Sequence, residues 1–238
     1  MDLLSIADDL VGALRPLRFA SPVEFVYNPL EYARAAYAEY VRRYGDGRRE
    51  VLLLGMNPGP WGMAQTGVPF GEVGLVRDWL GISAPIKKPR REHPARPVEG
   101  FVCSRSEVSG ARLWGWARDT FGTPQRFFER FFVANYCPLL FLEGSGRNRT
   151  PDKLPAQERS QIEVACDQAL RQTVMHLKPR CVVGVGSFAE RRARCALAGR
   201  DVTIGRVLHP SPASPIANRG WASQALRDLR NLGISIAV

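Results

Sequence analysis

Asn57, Asn135 and His209 are polar side chains placed at the ends of otherwise apolar segments. Asn57 follows Val51-Leu52-Leu53-Leu54 within GMNPGP (55–60), where two Pro and two Gly make a rigid exit from the apolar run. An amide held in such a turn can position water or a ligand, but it cannot take a proton at neutral pH. Asn135 closes the run FFVAN, and a buried Asn needs partners for both amide N–H groups and its carbonyl oxygen. Backbone partners would make it an ordinary core residue. At the carboxyl end of a strand it can instead read a donor–acceptor edge, as Asn does with bases. His209 opens HPSPASPIANRGW (209–221), a turn stiffened by Pro210, Pro212 and Pro215 ahead of a helix expected near Asn218. A lone His is more often structural, but one ending a strand favours a functional reading. His93 and His176 read as surface or helix residues.

The elements that must position these groups follow from periodicity. Apolar runs of strand length recur at VLLLGM (51–56), FFVANY (131–136), CVVGVG (181–186) and VTIGRVL (202–208). Helical spacing lies between and around them. The first nineteen residues read as an amphipathic helix ending near Arg15-Pro16, and VGLVRDWLG ends at Gly81. PAQERSQIEVACDQALRQTVMHLKP places Ile162, Ala165, Ala169, Val174 and Leu177 on one face, and SFAERRARCALAG starts at a capping Ser187. Strands apolar on both faces and alternating with helices predict an α/β domain of three layers, helices covering a parallel sheet. Ligands of such sheets bind beyond the strands' carboxyl ends, here the loops after Leu54, Val133 and Leu208. The first loop, GMNPGPWGMAQTGVPFGEV (55–73), holds five Gly and three Pro, with Trp61 and Phe70 as faces on which a flat ligand could stack.

The 238 residues, 45% hydrophobic, suit one domain spanning 1–238. A net charge of +10 points to a polyanionic partner, nucleic acid ahead of an anionic membrane surface. KKPRREHPAR (87–96) concentrates five basic residues and reads either as a solvated loop or as a phosphate contact. No stretch is long and apolar enough to span a bilayer, and the acidic N-terminus does not read as a signal peptide. Five scattered Cys without a C-x-x-C pair predict reduced thiols in a cytoplasmic protein of bacterial cytosol or nucleoid type, and give no zinc or iron–sulfur ligand pattern.

The three loops together resemble the uracil-DNA glycosylase superfamily, and within it the single-strand-selective monofunctional uracil-DNA glycosylases. GMNPGPWGMAQTGVPFGEV looks like that family's first motif and HPSP…ANRGW like its second. SEVSGARLWGW (106–116) and NYCPLLF (135–141) match the segments between. The resemblance implies a central four-stranded parallel sheet flanked by helices. It implies hydrolysis of the N-glycosidic bond of uracil and of oxidised uracils such as 5-hydroxymethyluracil in single- and double-stranded DNA, by a monomer with neither metal nor cofactor. Carried over by motif, Asn57 positions the attacking water and His209, with the Met56 N–H, stabilises charge on uracil O2. Asn135 reads the N3–O4 edge, Phe70 stacks on the base, and Gly59 and Met63 shape the space at C5. The DNA-contacting set is Lys87, Lys88, Arg90, Arg91, Ser106, Ser109, Ser211, Pro212, Ala213, Ile216 and Arg219, with the 210–220 segment wedging behind the flipped nucleotide. Ala213 departs from the basic residue often found after HPSP in this family. Either Ile216 or Arg219 then fills the gap, or duplex activity is the weaker.

Two other classes fit parts of the sequence. A basic module could grip single strands or abasic ends without cutting. A phosphoesterase could use the Gly-rich loop for phosphate, although the chain lacks G-x-x-x-x-G-K-[ST].

Overall fold

A computed structural model describes residues 1–236. The strands are β1 (Val23–Tyr27), β2 (Val51–Gly55), β3 (Phe131–Asn135), β4 (Leu140–Glu143), β5 (Asn148–Arg149), β6 (Cys181–Val185) and β7 (Thr203–Val207). Four of them form the expected parallel sheet, in the order β3-β2-β6-β7. Every residue of β2 and β6 is buried, as strands covered on both faces must be.

Side-chain parity shows the three layers. Phe131 points to the helices Val108–Phe121 and Trp221–Asn231, where its ring meets Trp116 at 6.1 Å and Trp116 meets Trp221 at 6.0 Å. Its neighbour Phe132 points the opposite way, to Tyr40 of the helix Arg34–Tyr44, at 5.2 Å. The Tyr40 hydroxyl donates to the Val133 carbonyl at 2.9 Å and ties that helix to β3. The N-terminal helix Leu3–Leu14 buries Ile6, Leu10 and Leu14 on one stripe, and Asp2 caps it by accepting from the Ser5 N–H at 2.7 Å. It packs along Ala156–Leu177, which buries Ile162, Cys166, Ala169, Leu170, Val174 and Leu177.

Local readings are corrected in four places. Ser187 is the first residue of its helix and makes no capping bond; Gly186, at φ +95°, holds the cap position. The expected helix before Gly81 is one π turn, Leu75–Trp79. Asn218 ends the short helix Pro215–Asn218, and the last helix starts at Trp221. His93 is buried, not superficial: its Nδ1 accepts from the Ala95 N–H at 3.0 Å, and its Nε2 donates to the Gly144 carbonyl at 2.9 Å.

A second, antiparallel sheet, β1-β4-β5, was not legible in the sequence. Its strands are short, β1 lies far in sequence from its partner β4, pairing Val26 to Phe141, and β5 contributes only two residues. It bears on function because it carries Asn148 and follows directly on Leu139, both at the mouth of the parallel sheet.

Candidate active site

Past its last paired residue β2 enters GMNPGP, and β3 continues alongside it. The Tyr136 N–H donates to the Gly55 carbonyl and the Cys137 N–H to the Met56 carbonyl, both at 2.9 Å. The two exits are thereby locked together and aim Asn57 and Asn135 into one cavity of about 370 Å³, within the size range of small-ligand sites. The third loop brings His209 to the same cavity. The three residues that carried the sequence reading are therefore walls of one pocket.

The Asn57 amide is oriented. Its Nδ2 donates to the Leu139 carbonyl at 3.1 Å, which leaves Oδ1 as an acceptor. Asn135 stands beside Gly55 in the β2–β3 register, and its Nδ2 donates to the Met63 sulfur at 3.2 Å. Gly55 has to be glycine, since a Cβ there would overlap Asn135 Oδ1 and lie 2.6 Å from the Phe70 ring. Among the described residues the Met56 N–H donates to no protein acceptor.

Phe70 is held at φ +54°, a strained backbone state for a bulky residue. Its surroundings enforce it. Trp114 Nε1 donates to the Pro69 carbonyl at 3.1 Å, and Thr66 Oγ1 to the Gly71 carbonyl at 3.1 Å. Gly110 lies so close that a Cβ would overlap the Phe70 carbonyl oxygen. The strain sets the ring in the cavity wall, 6.3 Å from the His209 ring and tilted 44° to it.

His209 is placed by its own backbone. The Leu208 N–H donates to Asp228 at 3.0 Å, and Trp221 Nε1 donates to the Leu208 carbonyl at 2.6 Å. Gly186 passes 3.2 Å from His209 Cβ, measured from where its own Cβ would stand. Burial pushes the imidazole pKa below its ordinary value, favouring the neutral ring. The turn after it is braced by Arg112, whose guanidinium donates to the Pro210 carbonyl at 3.1 Å and to Asn218 Oδ1 at 2.8 Å. Asn218 in turn donates to the Pro212 carbonyl at 3.0 Å.

Of the remaining expected residues, Met56, Gly59, Met63, Ser109 and Ser211 line the cavity. Pro212, Ala213, Ile216 and Arg219 form an exposed rim, with Ile216 at 55% exposure. Ser106 is exposed just before the Val108–Phe121 helix. Lys87, Lys88, Arg90 and Arg91 are not brought to the cavity. The first three line a separate groove with Arg15 and Arg18, Lys88 pairs with Glu92 at 3.1 Å, and Arg91 lies 4.9 Å from the Phe25 ring centre. Trp61 is outside the cavity lining, and Arg105 covers it at 4.4 Å from the ring centre.

Sequence reasoning missed Glu107, Asn148 and Thr150, which also line the cavity. Glu107 lay inside a quoted motif, but a single carboxyl without a partner in sequence gave no signal. Asn148 lies in a polar stretch, GSGRNRTP, that reads as a turn. Among the described residues no group of three or more His, Cys, Asp or Glu side chains gathers where it could hold a metal ion.

Comparison with known proteins agrees with this architecture. Residues 42–230 match the family model "Uracil DNA glycosylase superfamily". The chain is 56% identical over 227 residues to the single-strand selective monofunctional uracil DNA glycosylase of Mus musculus, covering 94% of this chain and 81% of that protein. The Bos taurus protein of the same name is 55% identical over 223 residues, covering 93% of this chain and 82% of that one. The solved structure of wild-type SMUG2 from Pedobacter heparinus superposes with a TM-score of 0.67 at 17% identity, covering 97% of this chain and 99% of that one; at this identity it speaks for the fold alone.

Proposed function

This chain belongs to the single-strand-selective monofunctional uracil-DNA glycosylase family of the uracil DNA glycosylase superfamily, and we propose that its cavity hydrolyses the N-glycosidic bond of uracil and polar 5-substituted uracils in DNA, with Asn57 holding the water. Membership makes it a uracil-DNA glycosylase of base excision repair. The observation that carries the residue-level reading is the Asn57 amide. With Nδ2 bound to Leu139, Oδ1 is free to accept from a water in the cavity that Asn135 and His209 share.

A base stacked in a duplex is out of reach, so the nucleotide must be flipped into the pocket, at a cost of a few kcal/mol that is least for single strands. Cleavage leaves a cationic sugar and a uracil anion. In this reading the neutral His209 ring and the unpaired Met56 N–H donate to O2 as charge develops there. Donors aimed in advance at developing charge contribute about 3–4 kcal/mol each. Asn135 reads the N3–O4 edge from the far wall, Phe70 stacks on the ring, and Met63 and Gly59 border C5. The flanking phosphates help to stabilise the sugar cation, so water held by an amide suffices without a strong base.

Ser211, Pro212, Ala213, Ile216 and Arg219 form the proposed wedge. The exposed Ile216, braced through Arg112 and Asn218, is the residue best placed to fill the gap that Ala213 cannot. Ser106 and Ser109 are assigned to phosphates next to the flipped nucleotide, and Lys87, Lys88, Arg90 and Arg91 to phosphates further along the strand. In this reading the protein acts as a monomer on single- and double-stranded DNA. No helix among the described residues is long and apolar enough to cross a membrane. The basic charge and unpaired cysteines support work in a reducing, DNA-holding compartment such as a cytosol or nucleoid.

The test is base release from uracil-bearing single-stranded oligonucleotide in EDTA, followed by alkali. Strand breaks that depend on the enzyme are expected. Tight binding without breaks would reduce the protein to a binding module, and activity abolished by EDTA would point to metal chemistry.

A further inference from the structure

Glu107 opens the Val108–Phe121 helix and reaches under the GPWG turn (59–62). Its Oε2 lies 2.3 Å from where a Cβ on Gly59 would stand, too close for both, and its Cγ lies 2.9 Å from where a Gly62 Cβ would stand. The carboxyl therefore fills, from another element, the space left by two glycines that cannot carry side chains there. Glu107 lines the same cavity as Asn57, Asn135 and His209. Among the described residues it joins no salt bridge, and no side chain donates to it. Burial raises its pKa, offset in part by the Ser109 N–H. The cavity holds a second idle acceptor, Asn148 Oδ1, which is buried without a hydrogen-bond partner.

The functional reading above sets which edge of a bound pyrimidine is left for this carboxyl. With His209 at O2 and Asn135 at N3–O4, the remaining edge is C5–C6. Asn135 is bonded to Met63, so the wall next to it runs from Met63 to Gly59 and Glu107. We propose that Glu107 is the specificity-determining residue at C5, where its carboxyl accepts a hydrogen bond from a 5-substituent bearing an O–H and refuses a methyl. The inference rests on the functional reading above and extends it. A methyl at C5 would cover a polar group while offering it no hydrogen bond, and such unpaired burial is how sites built for a hydroxyl reject the analogue lacking it. A hydrogen at C5 leaves room for water on the carboxyl, so uracil remains a substrate. The two glycines are then part of the same device, since any side chain at 59 would displace the reader.

The experiment measures single-turnover base release from single-stranded oligonucleotides carrying uracil, 5-hydroxymethyluracil or thymine, for wild type, Glu107→Gln and Glu107→Leu. The expected result is a 5-hydroxymethyluracil-to-thymine ratio that falls at least ~tenfold in Glu107→Leu, the effect of about one hydrogen bond. The ratio stays within ~threefold in Glu107→Gln, whose amide can still accept. An unchanged ratio in Glu107→Leu overturns the proposal, as does an equal loss on all three substrates in Glu107→Gln. Should Glu107→Leu not fold, a crystal structure of the wild type with free 5-hydroxymethyluracil decides. The hydroxymethyl oxygen within ~3.2 Å of the Glu107 carboxyl supports the reading, and one facing elsewhere overturns it. A wild type that releases no base from any oligonucleotide contradicts the glycosylase assignment itself, a result distinct from an unaltered ratio.

Discussion

Gly55 and Asn135 face each other across the β2–β3 register, and the Cβ that Gly55 lacks is the space shared by the Asn135 carboxamide oxygen and the Phe70 ring. One hydrogen in place of a methyl thus lets the Asn135 carboxamide and the Phe70 ring meet. Gly55→Ala is expected to lower base release by tenfold or more. Overpacking of this kind costs about 1–3 kcal/mol of stability. Rates and thermal unfolding of the variant check both, and a variant with wild-type rates would mean that the pocket yields easily.

Asn135 should set which base is accepted. Asp accepts where Asn donates, and cytosine N4 is a donor. Asn135→Asp is expected to lose uracil release by about 10²-fold, within the range for a bidentate contact exchanged, and to gain release of cytosine. Uracil release at the wild-type rate with cytosine inert would remove Asn135 from recognition.

His209 gives a signed pH dependence. Its folded pKa lies below the ordinary 6.5, so the unfolded chain takes up the proton first as pH falls. Above pH 6.5 both states are neutral and the group contributes nothing to the slope. Below it the wild type loses stability until the folded ring also protonates. Denaturant unfolding of wild type and His209→Asn between pH 8 and pH 5 should converge in slope at the alkaline end, with the wild type falling the more steeply on the acid side. The same neutrality predicts a rate that does not drop as pH rises through 6.5. Loss of activity there would mean that imidazolium is the working form.

Arg112 should matter without touching substrate. It ties the Pro210 carbonyl to Asn218, and so fixes the turn that carries His209. Arg112→Ala is expected to reduce kcat by roughly tenfold, in line with the loss of three charge-assisted bonds, to the Pro210 and Ser211 carbonyls and to Asn218, that hold a reacting geometry. Arg112→Lys should recover little, since Lys cannot span all three acceptors. Unaltered single-turnover rates in Arg112→Ala would show that the turn holds itself.

The parallel sheet was legible because β2 and β6 are apolar on both faces, and periodicity detects that. Asn57, Asn135 and His209 were legible because polar groups at strand ends break the pattern. The β1-β4-β5 sheet was hidden because β1 pairs with a strand more than a hundred residues away, and β5 is too short to show a period. Glu107 was hidden for a related reason: its role depends on two glycines in another loop, a relation that only the folded chain displays. The basic run at 87–91 stood out by charge alone; its four cations lie outside the cavity, with Lys88 held by Glu92 and the Val98 carbonyl, and the phosphate contacts proposed for them lie further along the strand.

The central claim is that Asn57 positions water and does not anchor DNA. Single-turnover base release and abasic-DNA affinity, measured on Asn57→Ala beside the wild type, test it most directly. Base release is expected to fall by about 10³-fold or more, as loss of a pre-positioned nucleophile implies, with abasic-DNA Kd staying within ~threefold. Release and affinity falling together would contradict the claim and make Asn57 a binding residue.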